Sequence, residues 1–115
     1  MLVHWYNKFA YAFRGLYWGV VGQTSFAVHL SLALAVVLAA WALQCQVWQW
    51  CLLVLCIGLV LALELVNSAL ECLARGLCQE HNPQVGRALD IAAGAVLVAS
   101  LTSAAVGLTV LAMQL

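Results

Sequence analysis

Three long apolar runs constrain what this chain can fold into. They cover residues 25–43, 48–70 and 89–113, and an α-helix needs roughly 20 apolar residues to cross a hydrocarbon core about 30 Å thick. Hydrophobic residues make up 67% of the 115 residues and charged residues 7%, against roughly 25% charged in an average soluble domain. The sequence therefore predicts one all-α integral membrane domain over residues 1–115, with three transmembrane helices.

The placement of the basic residues predicts the orientation of these helices. All of them precede the first run or lie between the second and third: Lys8, Arg14, Arg75 and Arg87. The positive-inside rule makes that side cytoplasmic, so we expect the N-terminus inside and the C-terminus outside. Four acidic residues balance the four basic ones, and a chain without net positive charge is not expected to bind nucleic acid.

Residues 1–22 differ from the apolar runs. Their segment "HWYNKFAYAFRGLYW" is rich in aromatic side chains. The side chains that recur at the three- and four-residue spacing of one helix face are Trp5, Phe9, Ala12, Phe13 and Leu16. Such a pattern predicts an amphipathic helix that lies in the membrane interface.

The second run ends in a polar stretch, "ELVNSALE", whose Glu64, Asn67, Ser68 and Glu71 fall within about 100° of one another on a helix. If this helix enters the membrane near Trp50, Glu64 lies about 21 Å deep and Glu71 about 31 Å deep. Glu64 is then a candidate general base inside the bundle. Glu71, at the water edge, is a candidate ligand for a hard cation such as Mg²⁺. Hydrogen bonding between helices is the structural alternative for this polar face.

Three segments carry a resemblance to a known family. "FAYAFRGL" with "SFAVHL", "ELVNSALE", and "GRALDIAAGAVLVA" resemble the small integral-membrane prokaryotic diacylglycerol kinases and their undecaprenol kinase relatives. The family pattern runs F-x-x-A-x-x-G, E-x-x-N-[ST]-A-[IL]-E and [GK]-x-A-K-D. The resemblance implies a surface helix and three spans assembled as a homotrimer in the bacterial cytoplasmic (inner) membrane. It also implies transfer of the γ-phosphate of Mg-ATP to a lipid alcohol.

The resemblance also assigns roles to individual residues. Glu64 corresponds to the catalytic base, with Asn67 as the residue that orients it, and Glu71 with Gln23 to the magnesium ligands. The positions that correspond to nucleotide-binding residues are Tyr11, Gln23, Glu71, Glu80, His81, Asn82 and Asp90.

The chain departs from the family pattern at several of these positions. Gln23 stands where many members have a second acidic magnesium ligand, and Leu89 stands where the family has a lysine that contacts the transferring phosphate. Two further departures are His4 and Arg75, in place of arginine and aspartate. A weakened or lost phosphoryl transfer is therefore one alternative, with Arg14 or Arg87 as possible replacements for the missing cation.

The lipid substrate is predicted by a narrow margin. "FAVHL" and "AAGAVLVA" are closer to undecaprenol kinases, whereas "VNSALE" and the loop ending in "GR" are closer to diacylglycerol kinases. On these segments we expect diacylglycerol to be favoured over undecaprenol.

Two other interpretations of the conspicuous residues stay open. A deep acid in a three-span protein is also compatible with a small proton-coupled transport or scaffold subunit, and Cys72, Cys78 and His81 form an incomplete zinc pattern. His29, inside the first run, is interpreted as interhelical packing or as a contact in a lipid pocket.

Overall fold

The computed structural model describes residues 1–21 and 24–115, and these form four α-helices. They are α1 (Leu2–Val20), α2 (Thr24–Ala42), α3 (Val47–Leu77) and α4 (Pro83–Met113). Three of them, α2, α3 and α4, are long and apolar enough to cross a membrane, which confirms the three predicted spans. We call the side with the α2–α3 connection the turn end and the side with the α3–α4 connection the loop end.

Helices α3 and α4 are longer than their apolar cores. Each has 31 residues, which gives a length of about 46 Å, well beyond a hydrocarbon core about 30 Å thick. Compared with residues 48–70 and 89–113, α3 continues to Leu77 and α4 starts at Pro83. Hydropathy marks where the chain leaves lipid, whereas backbone hydrogen bonding lets a helix continue into water. Both extensions lie at the loop end.

Local sequence signals set the helix boundaries at both connections. Pro83 occupies the first turn of α4, and the side-chain oxygen of Asn82 accepts hydrogen bonds from the backbone N–H groups of Gln84 and Val85. This is the usual combination of an asparagine N-cap with a proline that needs no backbone donor. At the start of α3, Gln46 and Gln49 form a reciprocal capping box.

The tightest packing among the three long helices lies toward the turn end. Ala40, Leu53 and Val110 are 0%, 2% and 3% exposed, and they bring α2, α3 and α4 together. Gly107 is buried, and a Cβ there would lie 3.8 Å from the side chain of Leu53. The small residue at Gly107 thus allows α3 and α4 to approach closely. Gln114 closes this end by donating to the carbonyl oxygens of Leu43 and Gln44.

Helix α1 has no buried residue and carries most of its aromatic side chains exposed. It contacts α3 near its C-terminal end, where a Cβ added at Gly19 would overlap the side chain of Leu65. The helix itself agrees with the sequence prediction, and its position in the membrane interface stays a prediction.

Candidate active site

The polar face of α3 is buried where the sequence predicts it. Glu64, Asn67 and Ser68 are 4%, 9% and 7% exposed, and Glu71 is half-buried. Because the residues lie three or four positions apart, they form one row along the helix. The row starts inside the apolar part of α3 and runs toward the loop end. Its environment therefore changes from the apolar segment to the part of α3 nearer water.

A hydrogen bond joins Asn67 to Glu71, the residue of the row nearest the loop end. The Nδ2 amide of Asn67 donates to Oε1 of Glu71 over 3.1 Å. Asn67 is therefore hydrogen-bonded to Glu71, the expected magnesium ligand. In the described ranges it has no hydrogen bond to Glu64. Its other polar atom, Oδ1, is buried without a partner among the described residues, as is Oγ of Ser68. Buried polar atoms of this kind normally find a partner.

The deepest carboxylate has a partner on another helix. Nε2 of His29, on α2, lies 3.5 Å from Oε2 of Glu64. It is the only basic side chain within 4.0 Å of a carboxylate in the part of the chain that the structure describes. No pattern quoted from the sequence predicts this pair. A lone histidine in an apolar run, with a lone acid in the next run, is the signal that could have suggested it.

An apolar cavity of about 320 Å³ lies between α2, α3 and α4. Toward the turn end it is lined by Val36, Leu53 and Leu111, and toward the loop end by Val60, Leu61 and His29. Because Val60 and Leu61 precede Glu64 by about one helical turn, the cavity ends close to the His29–Glu64 pair. A hydrocarbon chain in this cavity would have its polar end near that carboxylate.

The other predicted site residues that the structure describes are exposed. Tyr11 is 63% exposed on α1, and the guanidinium of Arg14 lies 5.3 Å from the centre of its ring. Residues 80–82 belong to the α3–α4 loop, which covers 78–82, and Asp90 is exposed on α4. Gln23 lies outside the described residues. Within the described ranges, no hydrogen bond or ion pair joins Tyr11, residues 80–82 or Asp90 to Glu64 or Glu71.

Two further predictions concern the missing cation and the zinc pattern. Leu89 is half-buried in the second turn of α4, and neither Arg14 nor Arg87 forms an ion pair in the described parts of the chain. Cys72, Cys78 and His81 do not come together as a metal-binding group among the described residues. Instead, the thiol of Cys78 donates to the backbone oxygen of Glu80 over 2.9 Å.

Comparison with known proteins identifies the family of this chain. The family model described as "Prokaryotic diacylglycerol kinase" matches residues 10–111. The chain is 30% identical to an undecaprenol kinase of Bacillus subtilis over 109 residues, which cover 95% of this chain and 89% of that protein. It is 35% identical to a diacylglycerol kinase of Synechocystis sp. over 101 residues, with coverages of 87% and 58%. A diacylglycerol kinase of Escherichia coli K12 is 31% identical over 94 residues, with coverages of 81% and 76%. The matched region includes α2, α3, nearly all of α4 and the second half of α1, and the chain belongs to the prokaryotic diacylglycerol kinase family.

Proposed function

We propose that this chain is an ATP-dependent lipid kinase that transfers the γ-phosphate of Mg-ATP to a membrane lipid alcohol. The observation that carries the proposal is the row of polar side chains on α3, with a buried carboxylate at Glu64 and the hydrogen-bonded Asn67–Glu71 pair nearer the loop end. This order suits a reaction between a substrate that arrives from the lipid and one that arrives from water. Membership of a lipid kinase family supports the same assignment.

Glu64 acts as the general base in this proposal. Its carboxylate takes the proton of the lipid hydroxyl while the hydroxyl oxygen forms a bond to the γ-phosphorus of ATP. The bond between that phosphorus and the β–γ bridging oxygen breaks, and ADP leaves. A base held inside the membrane segment accepts a proton from the alcohol without competition from bulk water.

Glu71 is the proposed protein ligand for magnesium, with Gln23 as the second. One oxygen of the Glu71 carboxylate accepts from Asn67, which leaves the other oxygen for the cation, and Mg²⁺ commonly uses one or two carboxylates together with ATP phosphates and water. When bound, the ion would neutralise charge on the phosphate oxygens during transfer. Tyr11, Asp90 and residues 80–82 complete the proposed nucleotide site.

We further propose that the working unit is a homotrimer. Asn67 and Ser68 each keep a buried polar atom without a partner, and only 11–28% of the spanning windows is buried within one chain. A neighbouring copy would supply hydrogen-bond partners and cover apolar helix faces. It would also bring its own α1, loop and Asp90 toward the α3 row. The protein is a bacterial membrane protein of three spans, and the distribution of basic residues supports a cytoplasmic N-terminus.

The lipid alcohol is proposed to be diacylglycerol, favoured over undecaprenol. The support is the narrow sequence preference given by "VNSALE" and by the loop that ends in "GR". The curated relatives include kinases for both alcohols at similar identity, so competition between the two lipids is the direct comparison.

The second candidate is a protein of the same fold with weakened or lost catalysis. It is favoured by Leu89, which stands at the lysine position of the family pattern. Phosphoryl transfer depends strongly on such cations.

One experiment separates these candidates. The purified protein in mild detergent is given Mg-ATP with diacylglycerol, with undecaprenol, and with both together, and phosphorylated lipid and ADP are measured. The proposed function predicts lipid phosphorylation that EDTA abolishes, with diacylglycerol consumed faster. Equal rates would remove the lipid preference. Absence of any phosphorylated lipid, in protein shown to be folded, would favour the non-catalytic candidate.

A further inference from the structure

We infer that His29 is a positioning residue for Glu64. In this inference the Nε2–H of His29 donates to Oε2 of Glu64 and holds the carboxylate at the end of the cavity, where the lipid hydroxyl arrives. The inference rests on the proposed function of Glu64 as a base, and it adds a residue that the family pattern quoted above does not contain. The observation behind it is the separation of 3.5 Å between these two atoms on different helices.

Glu64 needs a donor, and His29 is the basic side chain that reaches it. The side chain of Glu64 is 5% exposed and that of His29 is 21% exposed. A buried carboxylate is costly unless a donor or a cation compensates it. The nearest amide on the same helix face, that of Asn67, donates to Glu71 instead. In the described ranges no lysine or arginine lies within 4.0 Å of Glu64.

His29 also lines the apolar cavity, so one ring borders both the cavity and the carboxylate of Glu64. The other lining side chains are almost all aliphatic, together with Cys56 and the hydroxyls of Ser100 and Ser103. A lipid whose chain fills this cavity would therefore bring its alcohol group past His29 to reach Glu64. The histidine is placed to fix the direction from which the carboxylate oxygen receives the proton.

The length of the contact fits a catalytic pair before substrate binds. Hydrogen bonds from nitrogen to oxygen are usually about 2.7–3.2 Å long, and catalytic pairs are often longer without substrate and shorten in the reactive complex. A hydrogen bond to a charged group contributes enough that its loss corresponds to about a 10- to 100-fold change in an equilibrium or a rate.

Steady-state kinetics of two variants test the role of His29. His29→Gln keeps a side-chain N–H donor at similar reach, whereas His29→Phe keeps a ring and removes the donor. We expect His29→Phe to lower kcat about 10- to 100-fold with little change in the KM for the lipid, and His29→Gln to recover most of that loss. The matched control is Ser31→Ala. Ser31 is an exposed polar residue of α2 that donates only to its own helix, to the Ala27 carbonyl oxygen.

A double-mutant comparison separates positioning from packing. If His29 acts through Glu64, His29→Phe should cause no further loss in a Glu64→Gln background. A full additional loss in that background would overturn the inference, and so would a raised lipid KM at unchanged kcat, which would make His29 a lipid contact only.

A measurement without catalysis keeps the inference separate from the proposed function. In protein carrying His4→Gln and His81→Gln, His29 is the one remaining histidine of the three in the sequence, and its imidazole ¹⁵N signals can be followed by NMR in detergent. We expect Glu64→Gln to move these signals and Ser31→Ala to leave them in place. If Glu64→Gln leaves the His29 signals in place, His29 and Glu64 are not paired, even if the protein phosphorylates lipid. If they move but the wild-type protein, with His81 in place, phosphorylates no lipid alcohol, the pairing stands and the proposed function fails.

Discussion

At the scale of single residues, substitutions of Glu64 and Glu71 are predicted to impair different steps, catalysis for Glu64 and nucleotide binding for Glu71. Glu64→Gln keeps the size of the side chain but removes proton acceptance, so we expect kcat to fall by about 10² or more while nucleotide binding is kept. Glu71→Gln should instead weaken binding of Mg-ATP, because the charged carboxylate proposed to bind the cation becomes a neutral amide. Kinetics with titration of a non-hydrolysable ATP analogue measure both effects. Identical losses in kcat and in nucleotide affinity for the two variants would contradict the division of roles.

Leu89 gives a prediction of the opposite sign, a gain of activity. A lysine at this half-buried position in the second turn of α4 could extend its ammonium group along the helix toward the loop end and meet a phosphate. We expect Leu89→Lys to raise the phosphorylation rate and Leu89→Met, which has similar length without charge, to leave it near the wild-type rate. A wild type inactive on every lipid alcohol, with no activity restored by Leu89→Lys combined with Gln23→Glu, would contradict the kinase assignment.

The polar row of α3 is predictable from the sequence, but the hydrogen-bond partners of its residues are not. Helical spacing is enough to predict that Glu64, Asn67 and Glu71 share a face. Which amide donates to which oxygen depends on rotamers, and the approach of His29 depends on how α2 packs against α3, so neither is contained in spacing. The Asn67–Glu71 bond and the His29–Glu64 pair are therefore visible only in the three-dimensional structure.

At the scale of helices, the contact between α1 and α3 depends on one glycine. A Cβ at Gly19 would overlap the terminal methyl of Leu65, a flexible group that can move for a single methyl, whereas a larger side chain would push α1 away. Gly15, on the same helix, has nothing within 4 Å. We expect Gly19→Leu to speed tryptic cleavage after Lys8 and Arg14 several-fold, and Gly15→Leu, which raises helix propensity equally, to leave it unchanged. Equal cleavage rates for the two variants would show that Gly19 does not hold α1.

Helix number was predictable from hydropathy, and helix length was not. Lipid exposure selects apolar residues, so the three spans are visible as three runs. The extensions at the loop end contain Arg75 and Arg87, which a hydropathy pattern excludes, although their backbone is helical. Pro83 and Asn82 mark the start of α4, and these two residues are the better guide to that boundary than the first apolar residue.

At the scale of the whole molecule, the predicted nucleotide-binding residues that the structure describes are spread over α1, α3, the α3–α4 loop and α4. The α3 row is present, but Tyr11, Asp90 and the α3–α4 loop make no hydrogen bond or ion pair with it in the described ranges. Contacts between copies cannot be read from one sequence by periodicity, because a face that packs on another copy and a face that meets lipid are equally apolar. The homotrimer therefore stays a proposal, supported by the polar atoms of Asn67 and Ser68 that are buried without a partner among the described residues.

An assembly in which neighbouring chains share each site predicts recovery of activity by mixing. Glu64→Gln inactivates the α3 part of a site, and Asp90→Asn is expected to weaken the part contributed by α4. If those parts come from different copies, mixed oligomers of the two variants contain some sites that received neither substitution, and activity should return after joint refolding or co-expression. The matched control mixes Glu64→Gln with Glu71→Gln, whose altered residues lie on the same helix of the same chain. Every site containing α3 from either variant then carries one substitution, so no activity should return. Recovery in both mixtures, or in neither when cross-linking shows mixed oligomers, would contradict a site shared between α3 of one copy and α4 of its neighbour.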